Sequence, residues 1–169
     1  IGIRWALERN FDYVYLHNND LKLDPNAITE AVALAEADPT IGSVQSLMKL
    51  WKHPDTINST GGMVHFLGFG FVRDNGRKSG GAGPGSAGDA PLRYYNGEEI
   101  NYASGAAVLY RSSVLKRIGL LDPYLFLYHE DLQLGWRIRL LGFKNVLSTK
   151  SIAYHDYAFK KSVKKFYWM

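Results

Sequence analysis

Hydrophobic and polar positions fall into short blocks whose spacing changes along the chain. The run "IRWALERN" has helical spacing and leads into the apolar run "YVYLH" at 13–17, which reads as a strand. Asp24 and Pro25 form a helix start, an N-cap followed by proline at the first helical position. Ile28, Ala31, Val32 and Ala35 carry the helical spacing onward, and Pro39 closes the segment. "IGSVQSLMKL" at 41–50 reads as a strand. The first fifty residues therefore predict helix–strand–helix–strand, the rhythm of a βαβ sheet.

Residues 51–78 are irregular, with hairpin-like pieces around "GGMVHFLGFGFVRDNG". Residues 79–91, "SGGAGPGSAGDAP", cannot bury enough surface to order themselves and are expected to form a mobile loop. A linker between domains is the other reading of that run. It is disfavoured because neither side looks complete without the other, so residues 1–169 are taken as one domain. "INYASGAAVLYR" at 100–111 predicts a strand with small residues at its entry, and Ser112 or Ser113 can cap the helix "SVLKRI", which ends at Gly119. A helix is expected from Glu130 to Leu141, with Gly142 as its stop. "KNVLS" and "SIAYH" predict two short strands. Residues 157–169 set aromatics against lysine pairs at helical spacing, the start of an amphipathic helix.

The chain has 169 residues, 46% apolar, enough for one domain with a core. It contains no cysteine, which excludes disulfides and thiolate metal sites. No signal-peptide pattern opens it, and no apolar run approaches the roughly 20 residues of a membrane span. The net charge is +4, with Lys160, Lys161, Lys164 and Lys165 clustered near the end. This mildly favours anionic partners.

Four polar spots are candidates for chemistry, and three of them follow an apolar strand or begin a helix, where open α/β sheets bind ligands. Asn18-Asn19-Asp20 follows the first strand. It reads either as a turn or as oxygen ligands for Mg²⁺ or Mn²⁺. Ser104 and Gly105 permit a close approach by ligand or by backbone. Glu130 and Asp131 suit a helix N-terminus, where negative charge is stabilised, yet beside His129 and "YLFLY" they also suit general-base work. His155 ends an apolar strand, either as a polar terminus or as a metal ligand.

Taken together and in this order, the four spots resemble the family 2 glycosyltransferases, in their rhamnosyltransferase-like branch. The matching stretches are "DYVYLHNNDLKLDPNAI", "YASGAAVLYRSSVLKRIGLLDPYLFLYHEDLQLGWRIRLLGFK" and "SIAYHDYAF". The resemblance implies a GT-A fold, a Rossmann-like mixed α/β sheet flanked by helices. It implies a divalent cation, Mg²⁺ or Mn²⁺, bridging the diphosphate of a nucleotide-sugar donor. Asp20 would be a ligand, with Asn18, standing where the family has a first Asp, and Asn19 beside the donor. His155 would be a second metal or diphosphate ligand. Asp131, next to Glu130, would be the base that deprotonates the acceptor hydroxyl. Ser104 and Gly105 would border donor and acceptor, and Trp136 and Arg137 match the family's aromatic-Arg pair, with Arg137 as an anion contact. Gln133 stands where the family often has a second acid.

The expected activity is an inverting transfer of a hexose or deoxyhexose to a glycan or lipid-linked acceptor during cell-envelope polysaccharide synthesis. It would take place in the cytoplasm, with the basic C-terminal helix touching the inner face of the membrane. No nucleic-acid partner is expected. The alternative is a catalytically degenerate module of the same fold that binds glycan or protein, favoured by Asn18 and Gln133. Relatives usually carry roughly 60–90 residues before the stretch that begins here. The chain is therefore expected to be an N-terminally incomplete fragment, lacking the nucleotide-binding strands and prone to self-association.

Overall fold

The computed structural model describes residues 1–79, 94–125 and 129–156. The expected mobile loop, apart from Ser79, and the expected C-terminal helix with its lysines lie outside the described residues. Helix α1 (Gly2–Glu8) leads into strand β1 (Tyr13–His17), then β2 (Leu21–Leu23), α2 (Ala27–Ala37) and β3 (Ile41–Leu50). Short strands follow: β4 (Ile57–Ser59), β5 (Gly62–Val64), β6 (Gly70–Val72) and β7 (Glu98–Ile100). The chain then runs through β8 (Ala107–Arg111), α3 (Ser112–Ile118), α4 (Glu130–Leu140) and β9 (Lys144–His155).

The main sheet has the order β1-β8-β3-β9-β2, with β4 pairing β3 and β7 pairing β9. Among the described residues only β3 and β9 run parallel; β8 is antiparallel to both β1 and β3. The βαβ rhythm of the first fifty residues is thus interrupted in space. β1 and β3 are not neighbours, because the apolar β8, buried at every position but its last, inserts between them. Nothing local to residues 1–50 encodes that insertion.

Each sheet face is covered by helix. Val44, Leu109 and Val146 are cross-strand partners and meet Ala31 and Ala35 of α2. The alternate positions, Val108 and Leu147, join Leu134 and Ile138 of α4 and Val114 and Leu115 of α3. This alternation follows from the two-residue period of a strand. Among the described residues no helix is long and apolar enough to cross a membrane.

Several boundaries differ from the sequence reading. Helix α2 begins at Ala27 with Asn26 as its N-cap. Asp24 instead closes the turn before it, its Oδ1 accepting from the Asn26 amide at 3.1 Å and its carbonyl from the Ala27 amide. Neither Ser112 nor Ser113 caps α3; its N-cap is Arg111, and the Ser112 hydroxyl is buried without a partner among the described residues. The strand foreseen over 100–111 is divided into β7 and β8 by a turn at 101–106. The two short strands foreseen after Gly142 are one strand, β9. Its register against β3 jumps from Ser148 to Ile152 while β3 advances from Ser46 to Leu47, so residues 149–151 form a bulge. Such a bulge lets a strand bend without leaving its sheet.

Helix α4 docks at a point of close approach. A Cβ built on Gly135 would lie 2.3 Å from the Cβ and 2.8 Å from the Cα of Tyr102. Beneath this contact the buried Asn145 donates through Nδ2 to the carbonyls of Asn101 and Gly135, both at 2.9 Å, and its Oδ1 accepts from Ser43 Oγ at 2.7 Å. Gly135→Ala must therefore push backbone against backbone. The expected loss is at least about 1–3 kcal/mol, the usual cost of overpacking, read as a lower urea midpoint.

Where α2 leads into β3, Asp38 accepts from the Thr40 hydroxyl at 2.6 Å and the Thr40 amide at 2.8 Å, and pairs with Lys144 of β9 at 3.0 Å. The Thr40 hydroxyl, then Lys144, hold its carboxyl down from the ordinary 3.8 to about 2. A depressed carboxylate stabilises the fold above its unfolded value, and that contribution is lost as pH falls through the folded one. Asp38→Asn should flatten the acid limb of Tm against pH between about pH 4 and pH 2, measured by thermal melts.

Candidate active site

The ends of β1, β3 and β9 and the start of β8 lie at one end of the sheet, as their pairing requires. The Asn18–Leu21 turn closes there, with the Leu21 amide donating to the Asn18 carbonyl at 3.3 Å. The Asn18 amide donates to the Ala106 carbonyl at 2.9 Å, tying this turn to the loop before β8. Asn18, Asn19 and Asp20 are all exposed.

The pairing of Leu21 with His155 sets Asp20 beside the end of β9. The Asp156 amide donates to the Asp20 carbonyl at 2.9 Å, and Asp20 Oδ1 lies 3.2 Å from His155 Nε2. The Asp20 side chain is 51% exposed, that of His155 only 10%. The imidazole is thus walled in by protein, while the carboxylate still faces solvent. On the inner side, His155 Nδ1 sits 2.8 Å from Oδ1 of Asn58 in β4.

The second acidic group stands at the start of α4. His129, its N-cap, adopts a left-handed backbone (φ 68°, ψ −10°), and Glu130 and Asp131 fill the first turn. Asp131 Oδ2 accepts from the Gly105 amide at 3.3 Å and Oδ1 from the Leu132 amide at 2.8 Å. Glu130 Oε2 is buried and has no hydrogen-bond partner among the described residues. The two phenols below register this negative charge. Burial, and then Asp131, push the Tyr102 hydroxyl up to about 12. Burial, followed by Asp131 and Glu130, pushes Tyr110 up as well.

Ser104 and Gly105 belong to a turn in which the Ala106 amide meets Ser104 Oγ at 3.4 Å and the Ala107 amide meets the Ser104 carbonyl at 3.3 Å. Gln45 supports this turn from below. It is fully buried in β3, accepts from the Ser104 amide at 2.8 Å and donates to Ser59 Oγ at 3.1 Å.

The structure therefore brings Asp20 to His155 and Asp131 to Gly105, and it joins the two groups through Asn18 and Ala106. Trp136 and Arg137 are placed elsewhere. Trp136, half exposed, lines a groove of about 240 Å³ with Phe66, Asn101 and Arg139, against the β5–β6 hairpin. Arg137, expected as an anion contact, donates instead to the carbonyls of Ile118 (2.7 Å) and Leu120 (2.6 Å) and to Gln133 Oε1 (2.8 Å). Gln133 in turn reaches Asp122 Oδ2 at 3.4 Å. This pair fastens the 118–122 segment to α4, so the Arg137 guanidinium is engaged with backbone and Gln133.

The sequence matches, over residues 2–166, a family described as "Glycosyltransferase like family 2". The chain belongs to that family. No curated protein matches this glycosyltransferase domain. Among solved structures it is similar to GalNAc-T7 with UDP, GalNAc and Mn²⁺, at 15% identity and a TM-score of 0.63, covering 90% of this chain and 29% of that one. It is also similar to the mannosyltransferase PcManGT from Pyrobaculum calidifontis in complex with GDP-Man and Mn²⁺, at 12% identity and a TM-score of 0.55, covering 94% of this chain and 36% of that one. Those likenesses and the mixed sheet flanked by helices give the domain the GT-A fold. The chain spans about a third of the length of these neighbours.

Sequence reasoning missed Gln45 and Asn58. Gln45 leaves a signal, a long carboxamide among the apolar and small residues 41–48 of its strand. Asn58 lies in "TINST", within the irregular stretch 51–78, and leaves none. Gln45→Leu keeps the volume and removes the acceptor for the Ser104 amide. It is expected to cost about 1–3 kcal/mol in urea unfolding and to speed hydrogen exchange at Ser104.

Proposed function

We propose that this domain performs metal-assisted, inverting transfer of a sugar from a nucleotide-diphosphate donor to an acceptor hydroxyl. The observation that carries this reading is the placement, at one end of the sheet, of the Asp20–His155 pair and of Asp131 on the Gly105 amide. The neighbours that contain a nucleotide or nucleotide-sugar together with Mn²⁺ support the donor class.

The residues fit a cation site of few protein ligands. Among the described residues, no group of three or more His, Asp or Glu comes together. One carboxylate and one imidazole leave coordination positions for diphosphate oxygens and water. A mixed nitrogen and oxygen pair suits Mn²⁺ better than Mg²⁺, which favours oxygen throughout. When bound, the cation would offset the charge that develops on the departing diphosphate.

Asp131 is assigned as the base. Its carboxylate takes the proton of the acceptor hydroxyl as that oxygen bonds to the anomeric carbon, while the bond from that carbon to the diphosphate oxygen breaks. A single displacement needs one base opposite the leaving group and no covalent nucleophile. The Gly105 amide and the first turn of α4 hold the carboxylate in place. Glu130, with a buried oxygen turned inward, serves as a neighbouring charge rather than a second base. The proposed acceptor is a glycan or a lipid-linked sugar.

Asn18, in the place of a first Asp, favours a second reading, a binding module of the same fold without catalysis. Calorimetric titration with Mn²⁺ and UDP, then GDP, separates the two. Binding that requires Mn²⁺, is lost in Asp20→Ala and persists in Asp131→Asn is the expected result, with transfer in Asp131→Asn reduced at least about 100-fold. Metal-independent binding that both variants leave intact would favour the module.

A further inference from the structure

We infer that Asn58 is a positioning residue for His155, fixing which imidazole nitrogen carries the hydrogen and turning the other toward Asp20. This goes beyond the proposed transfer and rests on that reading only for its consequence at the cation.

The argument begins with the register of β4. Lys49 pairs with Ile57 and Met48 with Ser59, so β3 advances one residue while β4 advances two. Asn58 is the extra residue, a bulge, and bulges re-aim a side chain. The strand around it is held firmly. Ile57 and Ser59 are 0% and 1% exposed. The Ile57 amide donates to the Arg77 carbonyl at 2.7 Å, and the Gly76 amide donates to the Ile57 carbonyl at 2.9 Å. From this fixed position Asn58, itself 8% exposed, brings Oδ1 within 2.8 Å of His155 Nδ1.

A carboxamide oxygen only accepts, so the ring nitrogen beside it must carry the hydrogen. In the neutral imidazole the lone pair is then on Nε2, 3.2 Å from Asp20 Oδ1. Such a pair is satisfied either by a proton on Nε2 or by a cation held beside both atoms, and the orientation that Asn58 imposes serves both. A histidine that serves a cation commonly has its other N–H held by such a partner, and losing that partner lowers metal affinity by about 10–100-fold.

Two readouts test the assignment on the 169-residue chain. The first needs no metal: ¹⁵N–¹H correlation of the imidazoles at a pH where they are neutral, with His155 assigned by its absence in His155→Gln. Wild type should show the Nδ1–H form. Asn58→Leu should shift His155 toward a mixture or the Nε2–H form, and Asn58→Asp, which still accepts, should restore it. The second is titration with Mn²⁺ alone, where Asn58→Leu should raise Kd about 10–100-fold and Asn58→Asp should not. Amide spectra of β3 and β9 confirm that the variants are folded. If Asn58→Leu unfolds the chain, Asn58→Ser at lower temperature serves, with the same expected shift. An unchanged His155 signature in a folded variant overturns the assignment. A signature that moves while wild type binds no Mn²⁺ supports the role of Asn58 and overturns the cation reading alone.

Discussion

Tyr102 is the wedge on which the site-bearing elements close. Three glycines yield to it. A Cβ at Gly62 would enter its ring at 2.3 Å, one at Gly70 would meet its hydroxyl at 2.8 Å, and one at Gly135 would strike its Cβ at 2.3 Å. The same segment is stitched through its backbone. The Gly62 amide donates to the Tyr102 carbonyl at 3.0 Å and the Asn101 amide to the Gly62 carbonyl at 3.2 Å. Hairpin, turn and helix thus meet on one side chain, and none can shift without moving the others. Close-packed interiors transmit displacement in this way, since no void is available to absorb it.

That rigidity is what places Asp131. Its helix is set by Gly135 on Tyr102 and by Asn145 beneath, and its carboxylate reaches a turn that Gln45 holds from the sheet. Gln45 and Asn145 are polar groups in the interior, a costly location unless their hydrogen bonds are made. Each has its amide and its carbonyl engaged. These buried carboxamides are aimed at the backbone of the 101–106 segment or of α4, so they fix the loops rather than merely filling space. The Asp20–His155 pair is set differently, by strand pairing: Leu21 opposite His155 brings the two side chains together at the sheet end.

What the sequence disclosed follows from what is local. The ten residues of β3 and the helix from Glu130 were legible because periodicity and stop signals act within a few positions; Gly119 and Gly142, at φ 84° and 81°, end their helices as expected. The insertion of β8 between β1 and β3 was not legible, because strand order is decided by partners a hundred residues apart in places, as with Ser43 and Asn145. The bulge at 149–151 misled for the same reason: two apolar runs around a polar interruption look like two strands until a parallel neighbour runs the whole length. Asp20, Asp131 and His155 were singled out by type and order, and the fold sets them at one end of the sheet. The turn of Arg137 toward the Ile118 and Leu120 carbonyls was not legible, because a guanidinium in a helix carries no local sign of which way it faces.

Glycine at 105 differs in kind from glycine at 135. At 135 the protein itself excludes a Cβ. At 105, among the described residues, a Cβ would meet only Asp131 Cβ, at 3.9 Å, which is ordinary contact. Nor is Gly105 among the residues at positive φ, so the backbone does not demand it. Among the described residues neither packing nor conformation accounts for a bare residue here, and glycine carries an entropic cost in the unfolded chain. What it leaves is a half-buried peptide without a side chain, whose amide points at the carboxylate of Asp131, at the end of the sheet where Asp20 and His155 also stand. A reaction in which a sugar ring must lie against the backbone beside its base needs that space. On the proposed transfer, the small residues before β8 would serve the chemistry, whereas the glycines around Tyr102 belong with the fold.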